Sequence, residues 1–252
     1  PLEEPARLPA PAAWPTGVTL ESLRLRPRIP WHTGIEAAWE FGEAAAHRRL
    51  DAFIADALAA YDGDRDRPDE PGTSRLSPYL HHGELSPRQV YWAVRDRLAD
   101  GTSAGLSGGA ETYLKELGWR EFAYHLIFHF PQTPREPLRE SFRRFPWAPD
   151  EDVLEAWQKG RTGYPIVDAG MRQLWETGWM HNRVRMVVAS FLVKHLLQPW
   201  QDGARWFWDT LVDADLASNT LGWQWTAGCG ADAAPYFRVF NPVLQGQRFD
   251  PQ

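Results

Sequence analysis

The sequence predicts an all-α fold, and three observations predict it. Apolar residues recur at helical spacing in one segment after another, helix starts are written repeatedly as a hydroxyl followed by proline, and neither useful strand alternation nor a βα repeat occurs. The 252 residues carry 43% hydrophobic and 24% charged residues, a globular profile with enough chain for a substantial core. No apolar run approaches the roughly 18 residues of a membrane span, and no charged-then-apolar leader opens the chain. The single cysteine, Cys229, excludes an internal disulfide and an all-cysteine metal site, and it fits a reducing cytoplasm.

Residues 1–33 are rich in proline (Pro1, Pro5, Pro9, Pro11, Pro15, Pro27, Pro30) and lack periodicity, so they read as an interdomain linker with something preceding it. The helical domain is expected over 34–252. Between Gly34 and Tyr61, Leu50, Phe53, Ile54, Ala57 and Leu58 form a helical stripe. Asp62 to Gly72 is a polar loop. Ser77-Pro78 and Ser86-Pro87 each place a hydroxyl cap before a proline at the first helical position, and Gln89 completes a capping box with Ser86. Gly101 to Gly109 reads as a flexible Gly/Ser loop. Tyr113 to Phe130 is a helix ended by Pro131, and helices over Asp152–Trp157, Val167–Thr177, Arg183–Leu197 and Ala204–Leu211 complete the run.

Two stretches carry the chemistry. In Trp179-Met180-His181-Asn182-Arg183-Val184-Arg185-Met186, Asn182 and Met186 share a helix face and Arg185 points to the neighbouring one. Asp213-Ala214-Asp215 then precedes Asn219 and the aromatic run Gly222-Trp223-Gln224-Trp225. Two carboxylates, an amide and an arginine beside indoles suit a flat, nitrogen-rich ring. The plainer alternative, an Arg185–Asp213 structural ion pair with a capped helix start, is as compatible with these two stretches. Thr73-Ser74-Arg75-Leu76-Ser77 is a natural phosphate seat or an ordinary capped helix. Glu116, Trp119 and Arg120 share a face, where spacing alone favours a Glu116–Arg120 surface pair. His125 and His129 are four apart with no third ligand near, so they read as core histidines rather than a metal site. The run Arg135, Arg139, Arg143 and Arg144 reads as a solvated face. The net charge of −6 argues weakly against nucleic acid, unless a local basic rim exists; 14 tryptophans favour stacking or redox roles beside core filling.

Taken together, Thr73 to Ser77, Trp119-Arg120-Glu121-Phe122, Gly163-Tyr164-Pro165, Trp179 to Arg183 and Asp213 to Trp225 occur in the order of the flavin domain of the DNA photolyase/cryptochrome family, which this chain resembles from about Gly34 to its end. The resemblance implies a helical FAD-binding domain without the family's N-terminal α/β antenna domain, whose pigment the sequence does not name, and a truncated C-terminal end. It implies that Tyr61 and Thr73, Ser74, Arg75, Leu76 and Ser77 hold the pyrophosphate, that Arg185 pairs with Asp213 beside the flavin ring with Ala214 and Asp215 at its edge, that Asn219 faces N5, and that Trp179 lies near the adenine. Trp223, Trp200 and Trp147 match the family's electron-carrying indoles. Glu116, Trp119, Asn182, Met186 and Trp225 match the residues of members that repair cyclobutane pyrimidine dimers; Arg65, Arg120, Arg183, Arg238 and Gln245 are candidates for the DNA around the lesion. Tyr113 and Gly118 depart from some members. The expectation is a monomeric, light-driven DNA repair lyase working through anionic reduced FAD, with Glu116 steadying the added charge. Three rivals remain: a cryptochrome-type photoreceptor, a DNA-binding module with a structural flavin, and the (6–4) branch, disfavoured because Asn182 and Met186 stand where that branch uses histidines.

Overall fold

Helix boundaries follow local chemistry throughout the computed structural model, which describes residues 10–99, 106–233 and 238–249. The chain divides into two units, Pro1–Thr33 and Gly34–Gln252. The described part of the first is almost wholly exposed and holds one 3-10 turn, Glu21–Leu23, closed by Arg24 at φ 50°. The helices that follow are α1 (Thr33–Ala38), α2 (Glu43–Asp56), α3 (Tyr61–Asp64), α4 (Ser77–His82), α5 (Pro87–Ala99) and α6 (Leu106–His129), then α7 (Glu151–Gln158), α8 (Pro165–Thr177), α9 (Asn182–Ser190), α10 (Trp200–Thr210), α11 (Leu216–Ala227) and α12 (Pro242–Phe249). No strand occurs among the described residues. No described helix is long and apolar enough to cross a membrane.

The Ser86 capping box forms as its spacing predicts: Gln89 N donates to Ser86 Oγ at 3.1 Å, and Ser86 N donates to Gln89 Oε1 at 2.8 Å. Ser77 behaves differently. Its hydroxyl makes no cap and instead donates to Asp213 Oδ2 at 2.5 Å, far along the chain. Pro165 opens α8, and buried Asp168 collects Thr162 N at 2.7 Å, Thr162 Oγ1 at 2.7 Å and Gly163 N at 2.9 Å, which folds the Gly163-Tyr164-Pro165 turn. The long helix expected from Arg183 is α9 continued by a π-helical turn, Phe191–His195.

The segment expected to be a loop over Gly101 to Gly109 is helical from Leu106, its earlier residues lying outside the described ones. Gly109 is there for closeness rather than flexibility, since a Cβ would sit 2.0 Å from Leu58 O. Helices α11 and α12 carry no assignment from periodicity; α11 is apolar on nearly all sides. His125 and His129 are exposed, not core, with rings 4.4 Å apart. Arg143 pairs with Glu136 and Glu140 on an exposed face.

Two apolar cores form. One gathers α2 to α6 around Leu50, Phe53, Leu58 and Tyr113; the other gathers α7 to α11 around Trp157, Met171, Leu192 and Trp223. Helix α11 packs on α6, α9 and α10. A cavity of about 640 Å³ opens where α4, α6, α9, α10 and α11 converge.

Candidate functional site

The floor of the cavity is an ion pair. Arg185 Nη2 donates to Asp213 Oδ2 at 2.9 Å, and Arg185 Nε donates to Met180 O at 2.8 Å. The Asp213 side chain is only 2% exposed, and its other oxygen, Oδ1, is buried with no partner among the described residues. An ionised acceptor so placed costs stability unless a donor meets it. The plain structural ion pair therefore forms, yet it also lines a void with one acceptor to spare.

Asp215 caps α11, taking Ser218 N on Oδ1 at 2.7 Å, while the Tyr124 hydroxyl donates to its Oδ2. Burial works against its charge, but Tyr124 and Ser218 outweigh that and hold the carboxyl below the usual range. Asn219 Nδ2 donates to Ala204 O at 2.9 Å, which turns the amide and leaves Oδ1 as a fixed acceptor. Asp213, Ala214, Asp215, Asn219 and Arg185 all line the cavity, as does Ser77.

At the mouth, Glu116, Trp119, Arg120, Asn182, Met186 and Trp225 also line it. Trp119 is 47% exposed. Glu116 does not pair with Arg120, as helical spacing favours; it pairs with Arg65 from the start of the 65–72 loop, and with a third of its side chain exposed it is no dry, buried acid. Arg120 instead meets Glu121 at 3.2 Å and lies 4.7 Å over the Tyr124 ring.

Other expected site residues lie off the cavity wall. Tyr61 is buried against Phe53 and Tyr113, and that burial pushes its phenol well up. Of the Thr73–Ser77 seat only Ser77 reaches the wall. Ser74 Oγ accepts from Tyr113 at 3.3 Å, Leu76 is core, and Arg75 (φ 53°) is sandwiched between Trp39 at 4.8 Å and Trp179 at 4.7 Å. Arg75 is thus a cation–π clamp that also fixes Trp179. Arg183 pairs with Asp66 and stacks 4.5 Å from Phe249. Arg238 lies 5.9 Å over Trp225 and 5.2 Å over Phe240, and Gln245 sits in α12 with Oε1 buried. Trp223 lines the cavity, Trp200 is buried in the same core, and Trp147 is half-buried against it. Trp223 is wedged by Phe207 at 5.0 Å, Trp157 at 6.2 Å and Gly203, where a Cβ would sit 2.0 Å from its ring. Tyr124 and His81, the latter on the cavity wall, were not singled out by motif; only Tyr124's place four residues after Arg120 signals it.

Residues 113–252 match the family model described as the FAD binding domain of DNA photolyase. The deoxyribodipyrimidine photo-lyase of Agrobacterium fabrum is 51% identical over 99% of this chain and 52% of its own length. The chain belongs to the DNA photolyase/cryptochrome family. A solved class III photolyase from Agrobacterium tumefaciens superposes with a TM-score of 0.90 at 51% identity, over 96% of this chain and 50% of that one. Cryptochrome-1 of Arabidopsis thaliana is 45% identical over 85% of this chain and 32% of its own length. The chain spans about half the length of the first two.

A photolyase-family cavity must accept FAD, and these residues fit it. Asp213 Oδ1 is a buried acceptor without a donor among the described residues, the half-buried Asn219 amide is oriented by Ala204 O, and Arg185 supplies charge beside them. His181 sets the start of α9, which carries Asn182, Arg185 and Met186 of this wall: its Nδ1 accepts Arg183 N at 3.1 Å and caps the helix. Burial, aided by Arg183, Arg185 and Arg65 and opposed by Asp66, brings its pKa down to about 4. A folded value below the ordinary 6.5 means stability is intact above pH 6.5 and lost as the unfolded chain takes up a proton below it. Chemical denaturation at pH 8 and pH 5 should differ by about 2 kcal/mol through this group, and His181→Asn, which keeps a capping acceptor, should flatten that slope.

Proposed function

We propose that this domain carries out light-driven splitting of cyclobutane pyrimidine dimers in DNA. The observation that supports it is one cavity whose floor suits a flavin ring and whose mouth holds Glu116, Trp119, Asn182, Met186 and Trp225 together. A dimer must leave the duplex to enter such a cavity, as base-flipping enzymes require. Trp119 and Trp225 stack on the extruded pyrimidines, a contact worth about 1–3 kcal/mol per base. Asn182 and Glu116 hydrogen-bond the pyrimidine edges, Arg65 holding Glu116 in aim, and Met186 packs against the rings. Arg120 and Arg238 serve the neighbouring backbone.

Bound FAD, in its reduced anionic form, supplies the photoexcited electron that opens the dimer and receives it back. Asn219 would offer an amide acceptor to a ring N–H of bound flavin and, unlike a carboxylic acid, no acidic proton to hand over, which would preserve the reduced cofactor. Arg65, paired with Glu116, brings a positive charge to the same edge, so the steadying of negative charge on the pyrimidines falls to the cation rather than to the Glu116 carboxylate. Trp223, Trp200 and Trp147 refill the cofactor with electrons. The free, buried Cys229 fits a reducing cytoplasm.

The test is direct. The FAD-loaded protein should absorb in the blue and, under blue light, restore dimer-containing DNA; flavin binding and photoreduction without restoration favours the photoreceptor reading that the cryptochrome likeness also allows. Trp223→Phe should abolish photoreduction, and unaltered photoreduction removes the indole relay.

A further inference from the structure

Tyr124 belongs to no motif, yet it touches a residue from each half of the cavity. It stands on the exposed flank of α6, 40% exposed, one turn after Arg120. Its hydroxyl donates to Asp215 Oδ2 and lies 3.4 Å from Arg120 Nη2, which donates to it. The Arg120 guanidinium also rests 4.7 Å over its ring. Arg120 and Asp215 both line the cavity, the first at the mouth and the second at the capped start of α11. A cation and an anion on one wall attract each other, and direct pairing would cancel both. The phenol answers each of them separately: it accepts from the guanidinium and donates to the carboxylate.

We propose that Tyr124 is a positioning residue, a neutral spacer that keeps Arg120 on the DNA-facing rim by holding Asp215 at its own station. The proposal rests on the repair reading, in which Arg120 meets the DNA backbone. Asp215 has a donor on each oxygen, Ser218 N on Oδ1 and Tyr124 on Oδ2, and the phenol occupies the side of Oδ2 that lies toward Arg120. Burial and the neighbouring Asp215 push the phenol up, so it stays a donor through neutral pH. Removing the hydroxyl frees Asp215 Oδ2 to capture Arg120, which costs the rim one positive charge while leaving the stacked ring in place.

The experiment is a salt titration of binding to a dimer-containing oligonucleotide by the FAD-loaded protein. Tyr124→Phe should weaken binding about tenfold at low salt and make the slope of log affinity against log salt shallower by about 1, the signature of one lost phosphate contact. Tyr124→Phe combined with Asp215→Asn, which keeps a capping side chain but no anion, should restore the slope. A merely structural Tyr124 lowers the melting temperature and leaves the slope alone; that result, or a double variant no better than Tyr124→Phe, overturns the spacer. Failure of the repair reading looks different, because the unaltered protein would then show no preference for dimer-containing over undamaged DNA.

Discussion

Arg185→Leu should destabilise the domain by about 3–5 kcal/mol, the cost of leaving one partner of a buried ion pair behind. The asymmetry in exposure drives this: the Asp213 side chain is 2% exposed and Arg185 is 23% exposed. Among the described residues, loss of the guanidinium leaves Asp213 with Ser77 as its remaining donor, at 2.5 Å, while Oδ1 is already unmet. Met180 O also loses its partner. Urea denaturation of the cofactor-free protein measures the loss, and Asp213→Asn in the Arg185→Leu background should recover a good part of it by removing the stranded charge. A double variant as unstable as the single one would mean the carboxylate is not the cause. Added FAD should also stabilise the unaltered chain more than Arg185→Leu, because ligand binding to the folded state adds to stability.

Local chemistry was legible in the sequence and partner choice was not. The Ser86–Gln89 box, the Pro165 start and the core faces of α2 and α9 follow from neighbours within a turn, and they form as the spacing predicts. The Arg185–Asp213 pair, the plainer of the two readings its two stretches allowed and also implied by the family resemblance, forms. Most of the misses are long-range. Helical spacing offered Arg120 to Glu116, but packing of α3 against α6 brings Arg65 there instead, and two flexible side chains follow the partner that burial supplies. Ser77 forgoes its cap for Asp213 because a buried carboxylate is the stronger acceptor. Arg75 offers a charge to a phosphate in sequence and is taken by two indoles in space. Gly108 and Gly109 have loop composition, yet only the approach of Leu58 reveals why the second must be glycine. The cavity was foreseen through the family resemblance, whose motifs name its lining; Tyr124 lies outside those motifs and needed the fold.

Gln224→Leu should cost about 2–4 kcal/mol, since one buried and two part-buried backbone groups lose their partners at about 1–3 kcal/mol each, with relief from water at the two part-buried ones. Gln224 is 2% exposed and lies between the two cavity indoles, Trp223 and Trp225. Its Oε1 accepts Leu138 N at 2.9 Å, and its Nε2 donates to Thr133 O at 2.7 Å and Glu136 O at 2.9 Å. The amide thus staples α11 to the 133–138 loop on the side of the helix turned from its neighbours' rings. Its own carbonyl gathers Gly228, Cys229 and Gly230 N–H at 3.0, 3.0 and 3.1 Å, which ends the helix. Volume is not the issue, because leucine fills nearly the same space; the loss is one of hydrogen bonds. Gln224→Glu separates the two contributions: it keeps the bond from Leu138 N, but it faces two carbonyls with a charge, so it should be at least as damaging as leucine. A loss under about 1 kcal/mol for Gln224→Leu would show that water replaces the staple. Because α11 also carries Asn219, Trp223 and Trp225, loosening it should broaden the cavity's indole fluorescence before the rest of the domain unfolds. The paired indoles at the site therefore depend on the amide between them, which never touches the cavity at all.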